Sequence, residues 1–220
     1  MTLENQLTLE QQLAEKRDAA LTRSPQAFKI LERDNFKLLA EGLRERALHE
    51  GQIASNFSLP NAIGKIVTLS ELVAQGPVVL TFYRGEWCPY CNLTLRAYQN
   101  VLPQIKELGA SLIAIAPQTP DHSLSMAQKN ELEFEVLSDV GSQVIRQYGL
   151  VFTVSEEIKQ SYQSRGLDLA GYNGVDSWEL PVPGTFVIGP DGSVKLAFVE
   201  PDYTRRLGPE KILETLREME

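Results

Sequence analysis

The clearest pattern of apolar and polar positions lies in residues 77–91. A mostly apolar stretch within it, from Val78 to Phe82, predicts a buried strand. The polar sequence Arg-Gly-Glu then ends the strand, and apolar residues return at roughly helical spacing. These are Leu93, Leu95, Tyr98, Leu102 and Ile105. The pattern therefore predicts a core strand that is followed within a few residues by a helix.

Residues 1–50 show a different pattern, which is helical throughout and poor in β-branched residues. Ser24 is expected to cap a second helix that starts at Pro25, and Gly51 is expected to end it. We therefore expect a helical N-terminal extension over 1–50 and a domain over 51–220. The apolar stripes of the extension suit two roles equally, namely packing on the domain or forming a homodimer contact. The stripe residues are Leu3, Leu7 and Leu13 in the first helix and Phe28, Leu31, Leu38, Leu39 and Leu43 in the second.

From Asn56 onward, strand and helix patterns alternate. Two short strands are expected around a turn at Gly64, and Pro103 should kink or break the helix that follows the cysteines. A Pro-Asp-Gly sequence near residue 191 predicts a hairpin, after which a last helix closes the chain. Residues 153–180 predict little beyond one helix. This alternation predicts the α/β class, with a mixed central sheet flanked by helices.

The reactive chemistry in this pattern is a Cys-x-x-Cys pair at the strand–helix junction. Cys88 and Cys91 are the only cysteines of the chain. Residues three apart share one face of a helix, so we expect a reversible disulfide between them. The unpaired N–H groups at the helix start favour a thiolate. We expect Cys88 to be the more exposed sulfur, with a pKa lowered into the range of about 3.5–7.5 found for such cysteines. Cys91, one turn deeper, would then resolve a mixed disulfide.

Two other interpretations of the pair stay open. The cysteines pack as small hydrophobic residues, or they supply half of a metal site. The two histidines, His49 and His122, lack metal-ligand spacing to the pair, so we expect no zinc site within one chain. A zinc or iron–sulfur site shared across a dimer is not excluded by sequence. We expect no other cofactor.

Composition narrows the classes of function. A formal net charge of −8 over 220 residues argues against nucleic-acid binding. No apolar run approaches the ~20 residues that a membrane span needs. The first residues also lack the basic and then apolar pattern of a secretory signal. We therefore expect a cytoplasmic protein without membrane or nucleic-acid partners, in which a Cys-x-x-Cys pair is more often catalytic than structural.

Several short segments together carry a resemblance to a known family. They are Phe57-Ser-Leu-Pro, Phe82-Tyr83, Leu137-Ser-Asp, Tyr148-Gly-Leu and Thr185-Phe-Val-Ile-Gly-Pro-Asp-Gly. With them, residues 51–218 resemble the peroxiredoxin-like proteins of the alkyl hydroperoxide reductase/thiol-specific antioxidant (AhpC/TSA) superfamily. The Trp-Cys-Pro-Tyr-Cys sequence at 87–91 is similar to thioredoxin in its first half and to glutaredoxin in its second. The resemblance implies a thioredoxin-like fold with a peroxiredoxin-type N-terminal hairpin.

The resemblance also implies positions at the site. In the peroxiredoxin register, Cys91 takes the position of the cysteine that attacks peroxide, Cys88 replaces a threonine and Arg84 replaces a proline. The family arginine before the Thr-Phe-Val-Ile strand is absent, and Pro183 stands there as in thioredoxins, whose cis-proline faces the disulfide. The Val182–Pro183 bond is therefore expected to be cis, with Pro183 against the cysteine turn. Arg84 becomes the candidate to stabilise a thiolate or an oxyanion, unless it is an ordinary loop charge.

Four further residues complete the set of site-supporting candidates. Trp87 would shield the disulfide and line a groove for a partner, or else simply pack in the core. Pro89 and Tyr90 lie between the cysteines. Trp178 would approach the site from just before the Thr-Phe-Val-Ile strand, or else pack as ordinary core.

Two classes of function follow from these residues. The first is a thiol oxidoreductase that cycles a Cys88–Cys91 dithiol. It would be a peroxiredoxin-like peroxidase acting on hydroperoxides and reduced by thioredoxin or a similar donor, or a disulfide reductase acting on protein disulfides. The second is a non-catalytic redox switch, or a protein that binds an iron–sulfur cluster or metal across a dimer. The peroxidase is preferred because the resemblance to the peroxiredoxin scaffold covers about three quarters of the chain.

Overall fold

The computed structural model describes residues 7–219, so Leu3 of the first predicted stripe lies outside the described residues. The helices are α1 (Leu9–Arg23), α2 (Pro25–Ala40), α3 (Leu43–Arg46), α4 (Leu69–Val73), α5 (Pro89–Asn100), α6 (Leu102–Glu107), α7 (Pro120–Lys129), α8 (Gln143–Gln147), α9 (Glu156–Ser164), α10 (Leu169–Asn173) and α11 (Pro209–Arg217). The strands are β1 (Ser58–Pro60), β2 (Ile66–Thr68), β3 (Val78–Phe82), β4 (Ser111–Ala116), β5 (Glu135–Ser138), β6 (Val151–Thr153), β7 (Glu179–Pro181), β8 (Gly184–Ile188) and β9 (Val194–Val199). Within the described range, no helix combines the length and the apolar character that crossing a membrane requires.

Five strands form the central sheet, in the order β5-β4-β3-β8-β9. Strands β3, β4 and β5 run parallel, β8 is antiparallel to β3, and β9 is antiparallel to β8. The central strand β3 is buried along its whole length. A strand that is covered on both faces does not alternate between apolar and polar residues, which explains its nearly continuous apolar sequence. The predicted α/β class and mixed sheet are confirmed.

Each face of the sheet has its own core, because side chains alternate along a strand. On one face, Val79 packs in a cluster with residues of α1, α5, α6 and α11. On the other, its neighbour Leu80 packs with the β1–β2 hairpin, α8 and Tyr148. The hairpin turns through Gly64, which has a φ of +83°. The predicted N-terminal hairpin is therefore confirmed.

The connection from β3 to α5 places the two cysteines. Gly85 has a φ of +147°, and a Cβ added to it would lie 2.5 Å from Nε1 of Trp87. The turn therefore requires a glycine both for its backbone conformation and for the close approach of the indole. Helix α5 begins at Pro89, whose fixed φ and missing N–H suit the first helical position. The helix ends just before Pro103, which lies in the first turn of α6, so the predicted break is confirmed.

The N-terminal helices follow the prediction at their start but not at their end. Helix α2 begins at Pro25 with Ser24 in the N-cap position, as predicted, although the Ser24 side chain makes no capping hydrogen bond. It ends before Gly42 and not at Gly51, so that part of the prediction is wrong. Gly42 adopts a left-handed φ of +77°, which stops the helix, and the short α3 follows. The sequence pattern does not show this break, because the apolar stripe continues to Leu43, which is buried at the start of α3.

Residues 151–181 contain three elements that the sequence does not predict, namely β6, β7 and α10. Strands β6 and β7 form an antiparallel ribbon in which Phe152 is paired with Leu180. Strands of three residues are too short to show periodicity, and these two are far apart along the chain. Helix α10 is also short, and Asp168 caps it by accepting a hydrogen bond from the N–H of Gly171. The predicted helix in this region is present as α9.

Candidate active site

The two cysteines lie at the N-terminus of α5, Cys88 as the N-cap residue and Cys91 within the first turn. Both are free thiols, with exposed fractions of 1% and 0%. The Cys88 thiol interacts with the sulfur of Cys91, which raises the pKa of Cys88 and lowers that of Cys91. The helix therefore brings the two sulfurs together as the spacing predicts. Both sulfurs are buried, and Cys88 is the one of the two that lines the cleft in front of the site.

Cys91 is the sulfur whose surroundings favour the thiolate. Burial opposes its charge, while the hydrogen bond from Cys88 and the positive charge of Arg206 favour it. Nη2 of Arg206 lies 3.6 Å from Sγ of Cys91. The backbone and the guanidinium of Arg84 act in the same direction, and together these groups lower the pKa of Cys91 to about 5. At neutral pH, Cys91 is therefore the thiolate of the pair.

The surroundings of Cys88 act in the opposite direction. Burial raises the pKa of Cys88 well above its ordinary value, and the hydrogen bond to Cys91 and the negative charge there raise it further. Arg84 and Arg206 oppose this rise without overcoming it. The expected lowering of the Cys88 pKa is therefore wrong. Ionising a thiol that donates its proton to a neighbouring thiolate would place two negative charges in contact.

Arg84 is enclosed by aromatic side chains. Only 4% of it is exposed, and its Nη2 donates a hydrogen bond to the hydroxyl of Tyr162. Its guanidinium carbon lies 4.0 Å from the ring centre of Tyr203 and 4.9 Å from that of Trp87. Its Nε has no hydrogen-bond partner among the described residues. Arg84 is therefore a buried cation of the site and not a solvated loop charge.

Three residues at the site, Arg206, Tyr162 and Tyr203, carry no sequence signal that points to it. Tyr162 belongs to α9, while Arg206 and Tyr203 come from the loop between β9 and α11. In the sequence, Arg205-Arg206 looks like ordinary surface charge. In the structure, the guanidinium of Arg206 donates to the main-chain carbonyls of Tyr203 and Arg205. This positions Arg206 to make the direct side-chain contact with the thiolate that was expected of Arg84.

The other candidates around the cysteines have distinct environments. Trp87 is half-buried and packs edge-to-face on Tyr162, with 5.6 Å between ring centres, and its Nε1 has no partner among the described residues. Tyr90 is buried against Tyr203, at 5.5 Å between ring centres. Burial raises the pKa of Tyr90 to about 12, so it is a neutral phenol at neutral pH. Pro89 is exposed at the start of α5.

Pro183 is buried and lines the same cleft as Cys88. The Val182–Pro183 bond is trans, because no cis peptide bond occurs among the described residues, so the cis prediction is wrong. The N–H of Val182 donates to the carbonyl of Leu150, and Gly184 is already paired with β3. The chain therefore runs extended from one strand into the next. The trans bond, which even X–Pro peptides prefer, suits that path.

Trp178 does not line the cleft. Its φ of +50° turns the chain into β7, and the indole packs against the cluster that contains Tyr162 and Leu180. Nζ of Lys159 lies 5.0 Å from the centre of its ring. The next residue, Glu179, does line the cleft and forms a salt bridge with Arg146. Trp178 therefore supports the residues that hold Arg84, without reaching the sulfurs.

The loop between β3 and α5 is held in place by hydrogen bonds to His122 in α7 and to Gln118, which lies just before α7. The N–H of Glu86 donates to Oε1 of Gln118, whose amide donates to the hydroxyl of Tyr83. His122 Nδ1 lies 2.6 Å from the carboxylate of Glu86. Burial raises the pKa of Tyr83, and the charge of Cys91 raises it further, so the phenol stays neutral.

Within residues 7–219, no group of three or more His, Cys, Asp or Glu side chains is placed to hold a metal ion.

A cleft of about 920 Å³ opens in front of the site. Its lining includes Arg84, Trp87, Cys88 and Pro183 together with residues of α1 and α2. Cys88 lines the cleft, whereas the fully buried Cys91 does not. The arrangement can therefore present a buried thiolate and a neighbouring thiol to a molecule that enters the cleft.

Sequence comparison places this site in a known family. Residues 51–197 match the profile described as the AhpC/TSA family. The chain belongs to the AhpC/TSA family. The match begins at residue 51, beyond the predicted N-terminal extension, although the division of the chain at residue 50 stays a prediction.

Curated relatives of this AhpC/TSA protein carry peroxiredoxin names. Peroxiredoxin Q, chloroplastic, of Gentiana triflora is 29% identical over 169 residues, which cover 76% of this chain and 65% of that protein. Peroxiredoxin Bcp of Escherichia coli (strain K12) is 31% identical over 103 residues, which cover 47% of this chain and 65% of that one. This chain thus spans just under two thirds of the length of both relatives.

Solved structures confirm the fold. Peroxidoxin BcpB from Mycobacterium tuberculosis superimposes with a TM-score of 0.62 at 23% identity, over 79% of this chain and 99% of that one. A PrxQ mutant from Xylella fastidiosa gives the same TM-score at 16% identity, over 78% and 96% of the two chains. The predicted thioredoxin-like fold of the peroxiredoxin type is therefore confirmed for this AhpC/TSA protein.

Mild oxidation is expected to join Cys88 and Cys91 within one chain. The two cysteines share one face of the first helical turn and interact with each other, and a disulfide forms when a neighbouring thiolate and thiol are oxidised. Mass spectrometry of a peptide that contains both residues should show the loss of two hydrogens, and dithiothreitol should reverse it. Disulfides only between chains, or no oxidation at all, would contradict this expectation.

Proposed function

We propose that this AhpC/TSA protein is a thiol-dependent peroxidase in which Cys91 attacks the hydroperoxide and Cys88 resolves the product. The observation that carries the proposal is the contact of Arg206 with Cys91, the sulfur whose pKa is lowered to about 5. Cys88 keeps its proton, as a resolving thiol should before the peroxide reacts. The peroxiredoxin names of the relatives support the same activity.

The reaction follows from these protonation states. The Cys91 thiolate attacks the distal oxygen of a hydroperoxide, so that an S–O bond forms while the O–O bond breaks. Cys91 becomes a sulfenic acid, and the departing alkoxide takes up a proton and leaves as an alcohol, or as water when the substrate is hydrogen peroxide. The cationic groups of Arg84 and Arg206 stabilise the negative charge that moves from sulfur to oxygen.

Cys88 then completes the turnover. Its sulfur attacks the sulfenic acid of Cys91, and the departing hydroxide leaves as water with the proton of the Cys88 thiol. The disulfide that results is returned to two thiols by an external dithiol, which is itself oxidised. A thioredoxin-like protein is the proposed donor, and the cytoplasm is the proposed compartment. A homodimer through the N-terminal helices remains part of the proposal and is independent of the chemistry.

A second candidate is a protein disulfide reductase. Cys88, and not Cys91, lines the cleft, and it does so beside Trp87 and Pro183. A partner disulfide that entered the cleft would therefore meet Cys88 first. The raised pKa of Cys88 opposes this route, because the thiolate is the nucleophile in disulfide exchange. The pKa values of the two cysteines thus favour the peroxidase, in which Cys91 attacks. The position of Cys88 at the cleft surface favours the reductase, in which Cys88 attacks.

Parallel assays of the unmodified protein separate these two activities. With a thioredoxin, its reductase and NADPH, we expect hydrogen peroxide consumption with a kcat/KM of about 10⁴ M⁻¹s⁻¹ or more, in the range of enzymes. Reduction of insulin disulfides by dithiothreitol should gain little from the protein. A peroxide reaction no faster than that of a simple thiol, together with rapid insulin reduction, would replace the peroxidase by the reductase.

A further inference from the structure

Tyr162 is a residue of the site whose hydroxyl has a position but not yet a role in the reaction. It belongs to α9, is only 8% exposed, and lines the cleft together with Cys88 and Arg84. Its ring packs edge-to-face on Trp87, the residue directly before Cys88. The hydroxyl is also close enough to Cys88 for a charge on that sulfur to act on the pKa of Tyr162. The phenol is therefore fixed in the wall of the cleft beside the cysteine turn.

The proton of this hydroxyl has no acceptor among residues 7–219. The oxygen of Tyr162 accepts a hydrogen bond from Nη2 of Arg84, and a guanidinium can only donate. The O–H of Tyr162 must therefore point away from Arg84. Buried tyrosine hydroxyls usually have a partner for their proton. This one is available to a molecule that enters the cleft.

The proposed peroxidase reaction requires a proton at this place. When the O–O bond breaks, the departing oxygen is an alkoxide or a hydroxide, which is a strong base. Cys91 reacts as the thiolate and has no proton to give. Cys88 keeps its proton, but the resolving step uses that proton to form water. A third group is therefore needed to protonate the departing oxygen.

The contact with Arg84 distinguishes Tyr162 from the other phenol that packs on this arginine. The guanidinium lies over the face of the Tyr203 ring, 4.0 Å from its centre, whereas it donates to the oxygen of Tyr162. A negative charge left on the Tyr162 oxygen would thus be in direct contact with a buried cation. Burial raises the pKa of Tyr162 while the charge of Arg84 opposes that rise. The phenol therefore keeps its proton at neutral pH until a strong base forms next to it.

We propose that Tyr162 is a catalytic general acid that donates its proton to the departing oxygen of the hydroperoxide. The proposal rests on the peroxidase function and assigns the proton donor of that reaction. As the S–O bond forms at Cys91 and the O–O bond breaks, the O–H proton of Tyr162 passes to the departing oxygen, which leaves as an alcohol or as water. The phenolate, held by Arg84, then regains a proton from water in the cleft. The proton of Cys88 remains for the resolving step.

Two oxidants of nearly equal size separate this proton transfer from the rest of the reaction. Ethyl hydroperoxide releases ethoxide, which needs a proton as it leaves. Peracetic acid releases acetate, a weak base that leaves without one. Each oxidant is mixed with the reduced protein at low concentration, where oxidation of Cys91 limits the loss of free thiols, and the reaction is followed by rapid quenching. No electron donor enters this measurement.

Tyr162→Phe is expected to slow the reaction with ethyl hydroperoxide by about a hundredfold, which is at the lower end of the effect of general acid catalysis. The rate constant with peracetic acid should change by less than about twofold, because acetate requires no proton donor. Phenylalanine keeps the ring that packs on Trp87 and removes only the hydroxyl. Tyr172→Phe is the matched control, since it removes a hydroxyl outside the cleft, from a ring that packs on His122 at 4.4 Å. Both rate constants of this control should match those of the unmodified protein.

A second measurement separates a proton donor from a residue that only positions Arg84. If the hydroxyl acted by holding Arg84 near Cys91, its removal would raise the pKa of Cys91 and would slow both oxidants at low pH. If Tyr162 is the proton donor, the inflection in the pH dependence of iodoacetamide alkylation should stay near the Cys91 pKa of about 5 in Tyr162→Phe.

Each contrary outcome has a distinct meaning. Unchanged rates with both oxidants in Tyr162→Phe would overturn the inference and leave the peroxidase function standing. Equal slowing with both oxidants, together with a raised inflection, would show that Tyr162 positions Arg84 and is not the acid. The same selective loss in Tyr172→Phe would show that the effect does not belong to the cleft hydroxyl. Reaction of the unmodified protein with both oxidants no faster than that of a simple thiol would overturn the peroxidase function and this inference with it.

Discussion

Replacing Cys91 by serine is expected to abolish reaction with hydroperoxide, while Cys88→Ser should still allow one turnover. Cys91 is the thiolate of the pair, and a serine hydroxyl at the same position does not attack a peroxide. Serine at position 88 keeps a hydroxyl that can donate a hydrogen bond to the Cys91 sulfur or to the bound peroxide. A dimedone-type probe and mass spectrometry should therefore find sulfenic acid at Cys91 in Cys88→Ser and none at Cys88 in Cys91→Ser.

The same two variants should give the opposite pattern of results if the protein is a disulfide reductase. A reductase that attacks through Cys88 would trap mixed disulfides with its partners in Cys91→Ser, because the resolving thiol is gone. Cys88→Ser would then trap none. Efficient trapping by Cys91→Ser, with no sulfenic acid in Cys88→Ser, would reverse the assignment of the nucleophile.

Arg206→Gln is expected to slow the oxidation of Cys91 by up to about twofold at pH 7 and by roughly fivefold to fiftyfold at pH 5, because a higher pKa leaves less thiolate at low pH. The arginine donates to the sulfur, and a hydrogen bond to a charged group contributes about 1.5–3 kcal/mol, or roughly one to two pKa units. In the unmodified protein, the rate should be nearly constant above about pH 6 and should fall about tenfold per pH unit below the Cys91 pKa of about 5. In the variant, this inflection should move to higher pH. The pH dependence of alkylation by iodoacetamide measures the shift directly.

Arg205→Gln is the matched control for that change. Arg205 is the neighbouring residue, is exposed, and forms a salt bridge with Asp202 at 3.4 Å and not with either cysteine. Arg205→Gln should leave the inflection of the pH profile at the same pH as in the unmodified protein. An unchanged profile in Arg206→Gln, or equal shifts in both variants, would show that Arg206 does not stabilise the thiolate.

The protonation states of the two cysteines also explain how a Cys-x-x-Cys pair can act in a fold of the peroxiredoxin type. In the register implied by the family resemblance, Cys88 stands in place of a threonine, and it performs the hydrogen-bonding role that a hydroxyl would perform there. In the proposed reaction, the raised pKa of Cys88 keeps that proton in place until Cys91 has been oxidised. The proposed resolving thiol lies within one helical turn of the proposed attacking thiol.

The sequence by itself determines the local structure around the cysteines and the general class of chemistry. The apolar run of β3, the polar turn and Pro89 specify a buried strand followed by a helix, because these signals depend on neighbouring residues. The spacing of Cys88 and Cys91 on that helix brings the sulfurs together wherever the helix packs. For the same reason, the hairpin at Gly64 and the break at Pro103 could be predicted.

Only the tertiary structure decides which sulfur carries the charge and what covers it. Arg206 reaches Cys91 from the loop before α11, and Tyr162 and Tyr203 enclose Arg84 from two other elements. The trans bond before Pro183 follows from the strands on either side of it. The cleft likewise depends on α1 and α2 folding across the site from outside the part that matches the family. Helix and strand patterns report contacts along the chain, whereas the pKa of a buried group depends on charges that are near only in space.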